Sequence, residues 1–434
     1  MKRSVGILAA AIAVVLPVSV AGIEEAAHEP AQFDPLKGFL RDQSVSSVLR
    51  TDYFQSSKTL DDAVSFWGTT AQIKALSVFT DTIDGKFEGR ITNPDVVDEG
   101  DTETRLLEGY VTMHFLKADL RIGKQIVPWG RADGINPTDN LTPRDYTVML
   151  PFEEDQRFGT TALKVDTYLS QEYSLSVFTT PFFTPSKIPL SDDSTVIEMR
   201  PASDLSNSEI GIRLNKVGGD LDWSASYFRG FSLLPNMRFI SSTPMGPILE
   251  LHYPRITVLG ADFARNYGRF GFRGEVAYVD SADDHGEDPT VKNPYLFWIA
   301  GVDRTFFENL NVNLQFFQRR VRYFRNPEDI ADPLEHSVAI QNAIIDGERD
   351  RISNGISFRV SNKWLHDTLE AELFCVYNLT RNDRFWRPLL SYAFDDHWKG
   401  TLGGEFYRGA DDTQYGSLKS NRGVFAELRY GFER

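Results

Sequence analysis

From about Ser47 onward, apolar and polar residues alternate with period two in runs of roughly ten residues, the length of a strand that crosses a membrane. Leu107, Gly109, Val111, Met113 and Phe115 interleave with Glu108, Tyr110, Thr112 and His114. Ile210, Ile212 and Leu214 interleave with Glu209, Gly211, Arg213 and Asn215, and Leu369, Ala371, Leu373, Cys375 and Tyr377 with Glu370, Glu372 and Asn378. No long segment sustains a 3.6-residue period, so helices are expected to be few and confined to loops.

A β-sandwich would also alternate, and connection lengths separate the two. Short connections recur at Lys117–Ala118, Ser170–Glu172, Gly218–Asp220, Tyr267–Gly268, Phe307–Asn309 and Trp364–Asp367. Between them lie longer, polar, Pro-rich stretches such as Gly130–Arg157, Phe182–Asn207, Ser232–Pro254 and Phe324–Asp350. This sorting predicts an all-β fold, a transmembrane antiparallel β-barrel with short periplasmic turns and long extracellular loops. The runs give about 18 strands, with about 16 as the alternative. The seven tryptophans support this, since Trp223, Trp364 and Trp398 fall near the short turns and Trp67, Trp129, Trp298 and Trp386 near the long loops. Indole rings favour both membrane interfaces.

The N-terminus supplies a compartment. Lys2 and Arg3 precede an apolar run from Val5 to Val20, followed by Ala21 and Gly22, the pattern of a secretory signal peptide. The expected organisation is a signal peptide at 1–22, a periplasmic N-terminal segment at 23–46 and a barrel at 47–434. The predicted location is the bacterial outer membrane, reached by Sec-type export. With 61 acidic against 46 basic residues, the net charge of −15 argues against nucleic-acid binding. The single cysteine, Cys375, excludes an intramolecular disulfide framework.

Sorting by strand parity sends charge inward, because Arg or Lys on the lipid face costs about 2–4 kcal/mol at the midplane. Candidate pore-lining residues are Arg121, Gln125, Arg213, Arg273, Glu275, Arg319, Arg359, Glu370, Glu372, Glu405 and Glu427. The two signs are nearly balanced across the inward positions, so no strong ion selectivity is expected, and many of these charges are expected to pair across neighbouring strands. The Gly-, Pro-, Asn- and Asp-rich loop at 130–157 has the composition of a defined turn series. It is the candidate constriction, presenting Arg131, Asp133, Asp139, Arg144 and Asp145; the bland alternative is a loop that seals the outer rim. Acidic runs in the long connections, among them Glu153-Glu154-Asp155 and Asp411-Asp412, read as solvated surface, with divalent-cation bridging to lipopolysaccharide as the sharper alternative.

Gly123-Lys124-Gln125, then Trp129-Gly130, then Asn136-Pro137-Thr138-Asp139, form a G-[RK]-Q…W-G…N-P-x-D pattern. It resembles that of an uncharacterised proteobacterial family of outer-membrane β-barrels encoded near RND-type exporters. The family is more distantly similar to alginate-export and phosphate-selective porins. The resemblance implies a diffusion channel or an export conduit and assigns no ligand. No G-x-S-x-G, H-E-x-x-H or Walker A pattern occurs, so no enzyme, cofactor or metal site is expected. The expected function is passive passage of small polar or amphipathic solutes through a charge-lined lumen narrowed by the loop. The alternative is an outer-membrane partner of an RND-type exporter or a scaffold of a surface complex. Expected partners are membrane lipid, lipopolysaccharide, small solutes, and an exporter or further copies of the chain.

Overall fold

A computed structural model describes residues 42–60, 63–97, 100–148, 153–188, 195–244, 246–283 and 285–433. The expected signal peptide and residues 23–41 of the N-terminal segment lie outside the described residues. The chain enters β1 (Asp42–Leu60), ahead of the expected barrel start, and runs through β2 (Ala63–Thr80), β3 (Ile83–Asn93), β4 (Glu103–Phe115), β5 (Ala118–Gln125), β6 (Thr160–Tyr168) and β7 (Tyr173–Thr180). A short β8 (Thr195–Met199) precedes β9 (Glu209–Lys216) and β10 (Asp222–Phe231), and β11 (Asn236–Thr243) and β12 (Gly246–His252) follow. The remaining strands are β13 (Arg255–Tyr267), β14 (Phe270–Ser281), β15 (Tyr295–Phe306), β16 (Leu310–Val321), β17 (Ile352–Trp364), β18 (Leu369–Asn378), β19 (Asp383–Ala393), β20 (Trp398–Arg408) and β21 (Gly423–Glu433).

Eighteen of these strands form one antiparallel sheet, each paired with its neighbour along the chain, and β21 pairs with β1 from Ser46 opposite Glu433 to Ser56 opposite Gly423. The sheet therefore closes on itself and leaves no edge, as a strand wall in lipid must. β8, β11 and β12 stand apart as a three-stranded sheet within the long connections. The single α-helix among the described residues, α1 (Pro333–Asp346), lies in the connection between β16 and β17. Asp332 caps its first turn, Pro333 opens it and Gly347 ends it in the left-handed conformation.

The register fixes which residues share a face. Arg50 stands opposite Arg429, Asp52 opposite Glu427 and Phe54 opposite Phe425, and of this set all but the half-buried Arg429 are buried. Alternate residues such as Leu49, Ile122, Leu259, Leu314, Leu402 and Leu428 form the exposed face, with Leu402 at 57%. An apolar stripe repeated on strand after strand is expensive in water and stable against hydrocarbon, at about 25 cal/mol per Å².

Six tryptophans lie on strands, towards their ends, as expected: Trp223, Trp364 and Trp398 at the short-turn end and Trp67, Trp298 and Trp386 towards the other. Trp129 does not. β5 stops at Gln125, so Trp129 belongs to the following connection and is packed inside, 4% exposed. The sorting of connections by length is also not strict. Residues 379–382, between β18 and β19, make a turn as tight as those at the opposite end. Arg381 braces it, bonding Asp350 at 2.6 Å and Asp412 at 3.0 Å.

Candidate functional site

The connection from β5 to β6 turns inward at its first residue. The buried Gln125 donates to the Ala162 carbonyl (3.0 Å), and Glu108 on β4 accepts the Ile126 N–H (2.8 Å). Val127, Trp129 and Leu141 then pack among Phe178, Phe228, Val258 and Ala277, which are inward residues of β7, β10, β13 and β14. At Gly130 the backbone adopts φ +99°, and a Cβ there would sit 2.6 Å from the Glu275 carboxylate. Glycine is therefore required both by the torsion and by the approach.

That approach places the loop tip on Glu275 of β14. Its carboxylate accepts from the N–H groups of Arg131 and Ala132, and from the Thr138 N–H (3.4 Å) and hydroxyl (3.0 Å). Arg131 bonds Asp262 of β13 and Asn215 of β9 (2.8 Å). Gln315 of β16 holds the Asp133 backbone in both directions, accepting at 3.0 Å and donating at 2.7 Å, while Arg359 of β17 reaches the Asp133 carboxylate at 2.8 Å. Ala132 and Ile135 pack against the cluster of Ile299, Phe317, Phe374 and Phe385.

The returning half of the loop is held by a different arc of the wall. Asp155 takes both terminal nitrogens of Arg50 on β1 (2.5 and 3.1 Å), and its carbonyl accepts from Arg90 on β3 (2.6 Å). The fully buried Asp145 pairs with Arg105 of β4 (2.6 Å). Asp139 pairs with Arg157 (2.6 Å), with Arg144 at 3.9 Å, and accepts the Trp129 N–H. One connection thus reaches inward side chains of β1, β3 and β4 and also those of β9, β13, β14, β16 and β17.

All the wall residues named from parity share the inward face by register. Several are engaged with the loop or with each other. Arg213 bonds Asp262 (2.9 Å), Arg359 bonds Glu372 (2.7 Å), Glu405 faces Arg387 (3.8 Å) and Glu427 faces Arg50 (3.8 Å). Arg121 lies over the Tyr110 ring at 4.3 Å. Arg319 lies over Tyr295 and Phe297 and against Gly347, beneath the end of α1. Arg273 stays 44% exposed, 3.3 Å from Asp303, and Glu370 shares the face opposite Lys363. In the loop, Asp133, Asp139 and Asp145 are occupied in anchoring contacts. Parity points to Glu275 and Arg359 and sets Asn215 and Gln315 on the same polar face, but nothing in it marks these two or Asp262 as anchors of the loop. Asp155, set in an acidic run that reads as solvated, is instead tied to two arginines.

The family model described as "Protein of unknown function (DUF1302)" matches residues 40–296, more than half of the chain. The chain belongs to the DUF1302 family. A comparison with curated protein sequences gave no match. Among solved structures, this DUF1302 chain is similar to OpdK of Pseudomonas aeruginosa, solved with vanillate, at 10% identity and a TM-score of 0.56, covering 91% of this chain and 100% of OpdK. It is similar to OccAB1 of Acinetobacter baumannii at 12% identity and a TM-score of 0.56, covering 92% and 98% of the two chains. At such identities the likeness is one of fold. Closure of eighteen strands around an inward polar face, with an apolar outer face, makes the DUF1302 chain an outer-membrane β-barrel.

Beyond the strands, the long connections of the DUF1302 chain knit into a cap. Asp346, at the end of α1, accepts from Asn236 (2.5 Å) and from the buried Lys292 ammonium (2.8 Å). Glu348 accepts from the Asn293 backbone (3.1 Å) and side chain (2.9 Å). Burial, aided by the charge of Asp346, pushes the Glu348 carboxyl up to about 7. The folded cap therefore keeps this proton to higher pH than the unfolded chain, whose glutamates titrate near about 4.3. Its stability is highest below that unfolded value and falls as pH rises from there to about 7, then levels off. Hydrogen exchange of the α1 amides, corrected for intrinsic rates, is expected to quicken between pH 5 and pH 8 conditions, and Glu348→Gln is expected to flatten that change. An unaltered slope in the variant rejects the assignment to Glu348.

Proposed function

We propose that the protein is a porin-like outer-membrane channel for small polar or amphipathic solutes, which pass passively through a charge-lined lumen narrowed by the loop at 130–157. The carrying observation is the attachment of that loop to two arcs of the inner wall, through Arg50 and Arg90 on one side and Glu275, Gln315 and Arg359 on the other. A strand-to-strand connection held this way stands across the lumen and sets a size limit. Arg121, Gln125, Arg213, Arg273, Glu275, Arg319, Arg359, Glu370, Glu372, Glu405 and Glu427 are the proposed wall, and Arg131, Asp133, Asp139, Arg144 and Asp145 the constriction. Side chains that hydrogen-bond one another can also lend donors and acceptors to a passing hydrated solute, lowering the cost of a low-dielectric passage. Vanillate, present in the OpdK structure, is of the small amphipathic kind this reading admits.

Because the wall charges pair with opposite sign, the reversal potential of the purified protein in a planar bilayer under a KCl gradient is expected to lie close to zero. Stepwise conductance with a small reversal potential fits the channel. A silent bilayer rejects it.

A second reading, an outer-membrane partner of an RND-type exporter, is favoured by the short-turn rim. Leu116 is 98% exposed and Phe307 is 95% exposed, the latter at a left-handed φ of 54°. At the tips of periplasmic turns such side chains offer a docking partner apolar surface to bury. Photo-crosslinkers at Leu116 and Phe307 in intact cells are expected to trap a periplasmic exporter component if this reading holds, and lipid alone if it does not.

A further inference from the structure

Directly beneath the loop tip, at the short-turn end, the barrel holds a cavity of about 390 Å³ lined by Arg131, Asp222, Ala264 and Arg273, with the turn residues Gly219 and Asp220. Three of these stand in one row of the sheet. Asp222 of β10 is opposite Ala264 of β13, and Ala264 is opposite Arg273 of β14. Neighbouring strands are about 4.8 Å apart, so the backbones of Asp222 and Arg273 stand roughly 10 Å apart with only the methyl group of Ala264 between them. The Gly218 N–H fixes one Asp222 oxygen at 2.7 Å. Arg273 touches Asp303 at 3.3 Å and donates to the Arg131 carbonyl at 3.4 Å, which leaves most of its five donors unused.

We infer that this cavity binds small zwitterionic solutes of the α-amino-acid type, with the ammonium on Asp222 and the carboxylate on Arg273. The inference rests on the channel reading and names a substrate class for it. The spacing allows it: with the two backbones roughly 10 Å apart and a small residue between them, a ligand whose ammonium and carboxylate are about 3 Å apart can be met from both sides by contacts of about 2.8 Å. The charge arrangement agrees as well. A lone anion at Arg273 meets Asp303 and Asp222 as like charges, and a lone cation at Asp222 meets Arg131 and Arg273. A dipole aligned along the row meets opposite charge at both ends, and Ala264 leaves room for its backbone.

The test is swelling of liposomes carrying the purified full-length protein, with L-alanine, the uncharged lactamide of similar size, propionate and propylammonium as solutes. L-Alanine is expected to enter roughly fivefold faster than lactamide, about what one net charge-assisted contact discriminates. D222N and R273Q are each expected to bring the ratio of alanine to lactamide entry to about one, the ratio being taken within each variant so that any change in the pore itself cancels, and lactamide entry at any rate above that of empty liposomes reports that the variants insert and fold. Equal rates for alanine and lactamide in the wild-type protein overturn the inference. So does an R273Q effect shared by propionate with no effect of D222N, which describes an anion site. If no solute enters, the channel reading fails by itself. The site is then decided by saturation-transfer NMR with L-alanine on the solubilised protein, where transfer supports the site and its absence overturns it.

Discussion

Replacing residues 130–157 by a Gly-Ser hairpin of about four residues is expected to raise single-channel conductance about threefold or more, because an 18-stranded wall without an inner loop encloses an open aqueous lumen. The operation is geometrically mild. Gln125 of β5 already pairs with Thr160 of β6, so the new connection has to bridge only one strand spacing. The strand ladder that closes the barrel does not involve the loop, so the fold persists. The charges that held the loop, Glu275, Asp262, Arg359, Arg50 and Arg90, are released into water rather than stranded in a dry interior, which limits the cost of leaving them without partners. Trp129 loses its support and its emission is expected to shift to longer wavelength. Conductance equal to that of the full chain rejects the constriction and leaves the loop as an internal brace.

Much of this architecture is legible in the residues because a strand wall between lipid and water imposes period two on every element. The outward Leu402 and Leu428 and the inward Glu405 and Glu427 follow from parity alone, and so does the inward placement of Glu275. The partner of Glu275 does not. Backbone N–H groups of Arg131 and Ala132 carry no side-chain signature, and a contact across the lumen joins positions far apart in the chain. Trp129 misleads for a related reason. Its indole suits a membrane interface as well as a buried cluster, and only the end of β5 at Gln125 decides between them. Asp155 misleads because the acidic run around it resembles solvated surface, while the two arginines it binds sit on strands about a hundred residues earlier in one case. The helix α1 did leave local signs, in Asp332-Pro333 at its start and Gly347 at its end. Its buried Ala339 and Ala343 stand one turn apart, too short a stripe to register against the long polar stretches around it.

Glu275→Ala is expected to unlatch the loop tip while the barrel stays intact. The carboxylate serves three backbone N–H groups and the Thr138 hydroxyl in a buried position, and removing one side of such an arrangement costs about 3–5 kcal/mol. The sheet hydrogen bonds of β14 to β13 and β15 are untouched, so the loss falls on the docking of the loop and not on the wall. A change of about 3 kcal/mol multiplies the undocked population roughly a hundredfold. Two readouts follow: flickering between conductance levels in the bilayer, and trypsin cleavage after Arg131, which its contacts with Asp262 and Asn215 otherwise shield. Glu275→Gln separates charge from shape. Its amide oxygen can still accept from Arg131 and Ala132, but its NH₂ faces the donors of Thr138, so an intermediate effect of about 1–2 kcal/mol is expected. The order wild type, Gln, Ala in both readouts ties the latch to the carboxylate. A quiet, trypsin-resistant Ala variant instead means that the Gln315 and Arg359 contacts hold the tip alone, and the double variant with Arg359→Gln is then expected to release it.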